Sequence, residues 1–436
     1  MSRRTPDALA AAYHRSLALR WSATVLAMPV LVPLLLARGL DLAHVALVMA
    51  TFAAVAAVLE VPTGGLADAF GRVRVTLVAD ACALLARLAF MFAPGLGGLL
   101  AAAALGGAAR ALSSGALEAW YVDARRARDP GGDLQAPLAR AGTITSLVLA
   151  IGTLAGGALP LATPLLGLAA PGSVGALQFA FGVSATLWVA SLVVTARLPE
   201  ARAGTPEAKR AARRAARPDR VARVALGALL RDPALVPLLT IGAAFGAIVM
   251  SFEAFLPAEL RLRWGPEGVS MVLGTVMTVA FGATAAGQAL AARSAGKAPR
   301  LPLARVAQGA LVIAAGVGLV ALDAGGVARP LGVALAAVGA WLGYLGLGFA
   351  GPALGAAFHD RVASAERATM LSVHSLATYL GGVAATLALG AAAEATGLAV
   401  VWLAAAASAG GVVVVALTWR ARPAASRATR VAHEAR

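Results

Sequence analysis

The stretch Glu60-Val61-Pro62-Thr63-Gly64-Gly65-Leu66-Ala67-Asp68-Ala69-Phe70-Gly71-Arg72-Val73-Arg74 decides the fold. It lies between two long apolar segments, near 44–66 and 73–93, and it sets an acid, glycines and two arginines in one short turn. Gly64 and Gly65 allow helix backbones to approach closely, and Gly71 allows a sharp reversal at positive φ. Asp68 and Arg72 are four apart, the spacing of a local pair if the turn is helical. Charge wedged between membrane spans is costly to place and commonly functional.

Working outward, the 436-residue chain is 60% hydrophobic and 13% charged, with a mean hydropathy of +0.80. Soluble domains carry about 25% charged residues, so this is a polytopic membrane protein. Apolar runs bounded by charge, Pro or Gly predict twelve spans, each near the ~20 residues a bilayer needs: 18–37, 44–66, 73–93, 96–120, 139–163, 175–196, 234–257, 269–292, 302–322, 330–352, 369–393 and 397–419.

The net charge of +16 would suit a nucleic-acid partner were it not for its distribution. Most Lys and Arg fall in the N-terminal arm, the even-to-odd loops, the centre and the tail. Only Arg38, Arg261, Arg263 and Arg329 fall in the opposite loops, and Arg87 and Arg110 lie inside spans. This asymmetry places both termini in the cytoplasm and makes the basic charge a report of topology. Arg3, Arg4 and Arg15 precede an uncleaved first span rather than a signal peptide. Cys82 is the only cysteine, so no intrachain disulfide is possible. The preference for Arg over Lys and the abundance of Ala fit a GC-rich bacterial genome, and hence the inner membrane.

The long polar stretch 198–232 contains Pro199, Pro206, Pro218 and a basic run from Lys209 to Arg223. It divides the chain into an N-terminal bundle (1–197), a linker (198–232), a C-terminal bundle (233–420) and a basic tail (421–436). The later part of the linker suits either an amphipathic helix on the membrane face or a solvated tether. The halves repeat at nearly one offset: Gly71-Arg72 answers Gly296-Lys297, Arg140-Ala141 answers Arg367-Ala368, and Gly156-Gly157 answers Gly381-Gly382. Duplicated six-span halves about a midplane site are a transporter arrangement.

The pattern Gly64-x-x-x-Asp68-x-x-Gly71-Arg72-x-Arg74 resembles the loop 2–3 signature of the major facilitator superfamily of transporters. Ala69 and Val73 depart from its basic residues. The resemblance covers about 15–420 and implies an all-α fold of two pseudo-symmetric six-helix bundles. It also implies that Asp68 meets the start of the eleventh span near Arg367, and that Arg72 meets an acid ending the fourth, here Asp123. Arg367-Ala368-Thr369-Met370-Leu371-Ser372 resembles a loop 10–11 signature. Gly152-x-x-x-Gly156-Gly157-x-x-Pro160 resembles the glycine-rich motif of drug–proton antiporters, and small-residue packing alone also explains such spacing.

Further charges lie inside the spans. Glu60 is either a proton carrier or an acid that anchors the hairpin. Arg110, in Arg110-Ala-Leu-Ser-Ser-Gly115, either tunes a nearby acid or pairs with Glu118 or a first-span group. Asp80 and Arg87, seven apart on the third span, are expected to take separate partners on neighbouring helices. Glu253 is read toward the outer end of the seventh span. There it either meets a cationic, lipophilic substrate or a proton, or pairs with Arg261 or Arg263. His374 is read as a packed polar side chain, with a proton relay as the alternative. No zinc, phosphate-loop or nucleophile-elbow motif occurs, so an enzyme is not expected. The expectation is a monomeric transporter, surrounded by membrane lipid, that exports a small lipophilic or cationic molecule. It needs no cofactor and draws on the proton gradient, with a metabolite importer as the alternative. A non-transporting sensor or membrane enzyme is the rival class, and apart from the linker no loop is long enough for an output domain.

Overall fold

The computed structural model describes residues 6–129, 134–200, 218–294, 303–322, 329–362 and 367–419. Among the described residues every regular element is a helix, and twelve helical spans are long and apolar enough to cross a membrane. They are Ala8–Ala37, Leu42–Glu60, Arg72–Phe92, Leu96–Arg126, Pro137–Ala162, Val174–Ala196, Leu235–Trp264, Val269–Arg293, Ala304–Ala321, Leu331–His359, Met370–Thr396 and Ala399–Thr418.

Spans one to six and seven to twelve form two bundles. One core joins Val30, Leu34, Phe90 and Phe181 of the first bundle, and another joins Leu238, Phe252, Phe255 and Trp402 of the second. Arg72, Arg125, Arg126, Arg140, Arg231 and Arg361 gather at one end of the molecule, the basic end; Arg38, Asp41 and Glu267 mark the opposite end.

Two spans are broken. The first consists of helices Pro6–Val25 and Met28–Ala37, with Pro29 opening the second. Proline suits a first helical turn and cannot continue an earlier one. The fourth consists of Leu96–Ser113 and Ala116–Arg126, with Gly115 between them at φ 69°.

Two ends expected at prolines are absent. The seventh span runs through Pro257 to Trp264, and the tenth through Pro352 to His359. In hydrocarbon, no water competes for the backbone groups a proline frees, and neighbouring helices hold the segment helical. Arg261 and Arg263 therefore belong to a helix rather than a loop. The linker ends in a helix, Pro218–Arg231, with Leu226 and Leu230 exposed. Asp232 follows and pairs with Arg361 at 2.8 Å. The Arg361 guanidinium lies 4.7 Å over the Trp419 ring, whose Nε1 donates to Ala234 O.

Candidate functional site

The hairpin between the second and third spans turns at Gly71, where φ is 104°. The third span starts at once, and its first free amides need acceptors. Glu200, just past the sixth span, supplies them: its carboxylate accepts from Val73 N at 3.2 Å and Arg74 N at 3.1 Å. Arg72 Nη1 lies 2.8 Å from Asp123 Oδ2 at the end of the fourth span. The fully buried Trp120 donates from Nε1 to Pro199 O at 2.8 Å. The turn is thus tied to the ends of the fourth and sixth spans of its own bundle. Gly64 lies in the last turns of the helix Leu42–Phe70. The Asp68 and Arg367 side chains lie outside the described residues, and so does the contact expected between them. The Arg74 side chain is exposed.

Glu60 accepts from Ser114 Oγ at 3.3 Å, at the break in the fourth span. Arg110 closes the first helix of that span, and Ser113 Oγ donates to its carbonyl. Among the described residues Arg110 has no ion pair, so the expected partner Glu118 does not hold it. The break at Gly115 separates the two, and Glu118 faces outward within electrostatic reach of Tyr13.

Glu253 lies eleven residues before the helix end at Trp264, about 16 Å inside it at 1.5 Å per residue. It is at mid-span rather than the outer end. Neither expected arginine pairs with it. Arg261 Nη1 donates to Pro33 O at 3.0 Å, and Arg263 pairs with Glu259, which also accepts from Trp402 Nε1. Glu253 is half-buried and, among the described residues, has no hydrogen bond or ion pair. Its charge reaches Tyr344 and Tyr379, and Tyr379 is also within reach of Glu60 and Arg110. One central space therefore joins Glu60 and Arg110 of the first bundle to Glu253 and Tyr379 of the second.

Among the described residues the space is closed at the opposite end and open at the basic end. At the opposite end Leu42 N donates to Glu394 Oε2 at 2.9 Å, and Gly390 abuts Ala46. There the fifth and eighth spans also cross at Gly157 and Gly274. A Cβ on Gly157 would meet Ser270 O at 2.3 Å. The Thr153 and Thr278 hydroxyls lie 3.0 Å apart one turn further along. Beyond them, on the same stripes toward the basic end, Gly142, Thr143, Ser146, Ala285, Gln288 and Ala292 are exposed.

Within the second bundle a slot of about 440 Å3 opens between the seventh, eighth and tenth spans, lined by Val249, Phe281, Thr284, Gln288, Tyr344 and Gly351 among others. A second depression, about 490 Å3, lies in the first bundle around Met91 and Gln178 and is lined by none of these charges.

Other intramembrane charges serve the bundles. Asp80 is fully buried, paired with Arg20 and accepting from Ser191 Oγ at 2.9 Å and Thr195 Oγ1 at 3.0 Å. Arg20 lies inside the first span, also facing the Trp188 ring. Arg87 Nε donates to Ser184 Oγ. His374 packs its ring 5.2 Å from Phe358 and beside Gly242. Sequence reasoning missed Arg20, Glu200, Tyr344 and Tyr379. An acid just past a span end on the basic side, as in Leu198-Pro199-Glu200, was the available signal for Glu200.

The fold is similar to solved transporters. One is a variant of the nucleoside transporter NupG, at 12% identity, covering 95% of this chain and 100% of that one, with a TM-score of 0.76. Another is a POT family transporter in complex with 5-aminolevulinic acid, at 14% identity, 94% and 95% coverage, and a TM-score of 0.70. At these identities the likeness is one of fold. No curated protein sequence matches the chain. The profile of the Major Facilitator Superfamily matches residues 16–344, about three quarters of the sequence. With twelve spans in two bundles around a charged central space, the chain belongs to that superfamily and is a secondary transporter of a small molecule rather than an enzyme.

Proposed function

We propose that this transporter exports a small lipophilic or cationic molecule across the inner membrane in exchange for protons, as a monomer in lipid. The observation that carries the reading is Glu253: a half-buried carboxylate at mid-span, without an ion pair among the described residues, facing two tyrosines in a space open at the basic end. A carboxylate so placed binds either a cation or a proton, and each excludes the other. The positive-inside rule puts the basic end in the cytoplasm, so the conformation is inward-open and able to load from inside. The bundles then rock about the midplane. A proton arriving from outside neutralises Glu253, the substrate leaves, and the carrier resets. Arg72, Asp123 and Glu200 brace the hairpin, with Asp68 and Arg367 as the contact made when the basic end closes. The exposed Leu226 and Leu230 of the linker helix lie against lipid.

A second reading, uptake of a small metabolite, is favoured by Arg110. A cavity cation without an ion pair among the described residues suits a carboxylate-bearing substrate. The experiment is transport in proteoliposomes with an imposed pH gradient. Uptake driven by an outward proton gradient in inverted vesicles is expected for export, whereas movement indifferent to the gradient rules out proton coupling. Glu253→Gln should abolish gradient-driven movement while leaving counterflow of a neutral substrate; unchanged gradient-driven movement removes Glu253 from the mechanism.

A further inference from the structure

The eleventh span ends on an acid that its own helix disfavours. Glu394 lies in the last turn of Arg367–Thr396, where the free carbonyls make the helix end negative. A carboxylate there gains from a partner elsewhere. Gly390, one turn earlier, supplies the approach. A Cβ built on it would lie 2.3 Å from the Ala46 Cβ and 3.2 Å from Leu42 O, so no side chain stands between this turn and the start of the second span. Ala46 belongs to the first bundle, yet it is buried among core residues of the second. The same stripe carries Glu394 onto the first turn of the second span, where its Oε2 accepts from Leu42 N at 2.9 Å.

That turn has a cap of its own. Asp41 accepts from His44 N at 2.7 Å, and its carboxylate also pairs with the His44 ring. A capping side chain reaches the second or third amide of its helix, not the first. Leu42 N is the first, and the acceptor that meets it comes from the other bundle. The two caps therefore differ in kind. Asp41 and His44 travel with the second span and keep their contact in any arrangement of the bundles. Glu394 keeps its contact only while the opposite end is closed. It is exposed, so on opening water takes up both the carboxylate and the amide.

We infer that Glu394 is the latch of the opposite end: its carboxylate caps the second span across the bundle interface and holds the form that is open at the basic end. A contact made in one state and absent from the other biases the equilibrium between them. Asp68 sits in the last turn of the second span as Glu394 does in that of the eleventh. The two spans run in opposite directions, so each acid lies at the end where the other span begins. The two contacts alternate as the bundles rock. The inference rests on that rocking, given above, and is independent of the substrate and the coupling ion.

The test is a distance distribution in the full-length Cys82→Ser protein in nanodiscs. Spin labels go on cysteines introduced at Pro94 and Glu267, which are exposed at the opposite end, one on each bundle. Glu394→Ala is expected to raise the fraction open at that end about fivefold, the scale of one cap hydrogen bond. Glu394→Gln should raise it about twofold, since the amide oxygen still accepts but without the charge. Asp41→Ala should lower thermal stability and leave the fraction unchanged. Gly390→Ala, whose Cβ forces the two spans apart, marks where the open distance lies. A fraction unmoved by Glu394→Ala but raised by Gly390→Ala overturns the latch and leaves the rocking of the bundles standing. An equal rise in Asp41→Ala and Glu394→Ala also overturns it, and makes Glu394 one more helix cap. A single distance in the wild type and in every variant overturns rocking about this end, and the latch with it.

Discussion

At Gly71 two constraints meet. Its φ of 104° is open to glycine alone at little cost, and a Cβ there would sit 2.8 Å from the Glu200 carboxylate that caps the third span. Gly115 also has positive φ, at 69°, but open space around it. Alanine at Gly115 should therefore cost only the backbone strain of a left-handed residue, about 1–2 kcal/mol. Alanine at Gly71 should cost more, because it also displaces the carboxylate from two amides, a cap worth about 1 kcal/mol. Thermal unfolding in detergent should rank wild type above Gly115→Ala above Gly71→Ala; equal losses would mean that Glu200 contributes nothing there. The Arg72–Asp123 geometry was legible because both partners sit at span ends in a known pattern. Glu200 is legible only as an acid just past a span end; its partners are amides 126 and 127 residues earlier, and no local pattern encodes which they are. Glu253 lies deeper than its sequence suggests for a different reason: Pro257 reads as a helix end, and lipid and packing carry the helix onward to Trp264.

The crossing of the fifth and eighth spans is the element on which closure of the opposite end depends. Gly157 and Gly274 let the two backbones meet, because each would place a Cβ within 2.6 Å of a carbonyl on the other span. A larger side chain at Gly157 must push the spans apart at that end. The paired glycines were visible in the sequence as small-residue packing, but their division of labour was not: Gly156 faces the first span of its own bundle, at the backbone of Leu26, while Gly157 faces the other bundle. Which of two adjacent glycines crosses between bundles depends on helix rotation, and composition does not report rotation. Spin labels at Leu168 and Glu267, both exposed at the opposite end, measure the outcome in a Cys82→Ser background. Gly157→Leu should lengthen that distance by several ångströms and populate the form closed at the basic end; an unchanged distribution would show that the crossing does not govern closure.

For the molecule as a whole, transport requires that the bundles exchange which end is in contact. Among the described residues only the opposite end is joined, so a covalent link across it should stop the cycle without removing the binding site. Thr153 and Thr278 offer such a link. Their hydroxyl oxygens are 3.0 Å apart across the two bundles, within the reach of a disulfide, and replacing Cys82 leaves no competing thiol. Oxidised Thr153→Cys/Thr278→Cys protein should bind ligand from the basic side as the reduced protein does, yet transport none, and reduction should restore transport. The comparison is between redox states of one protein, so the hydrogen bonds lost with both threonine hydroxyls cancel. Persistent transport in the oxidised form would mean that substrate crosses without the fifth and eighth spans parting. The fold would then still be two bundles in lipid, but alternating access about this crossing would have to be abandoned.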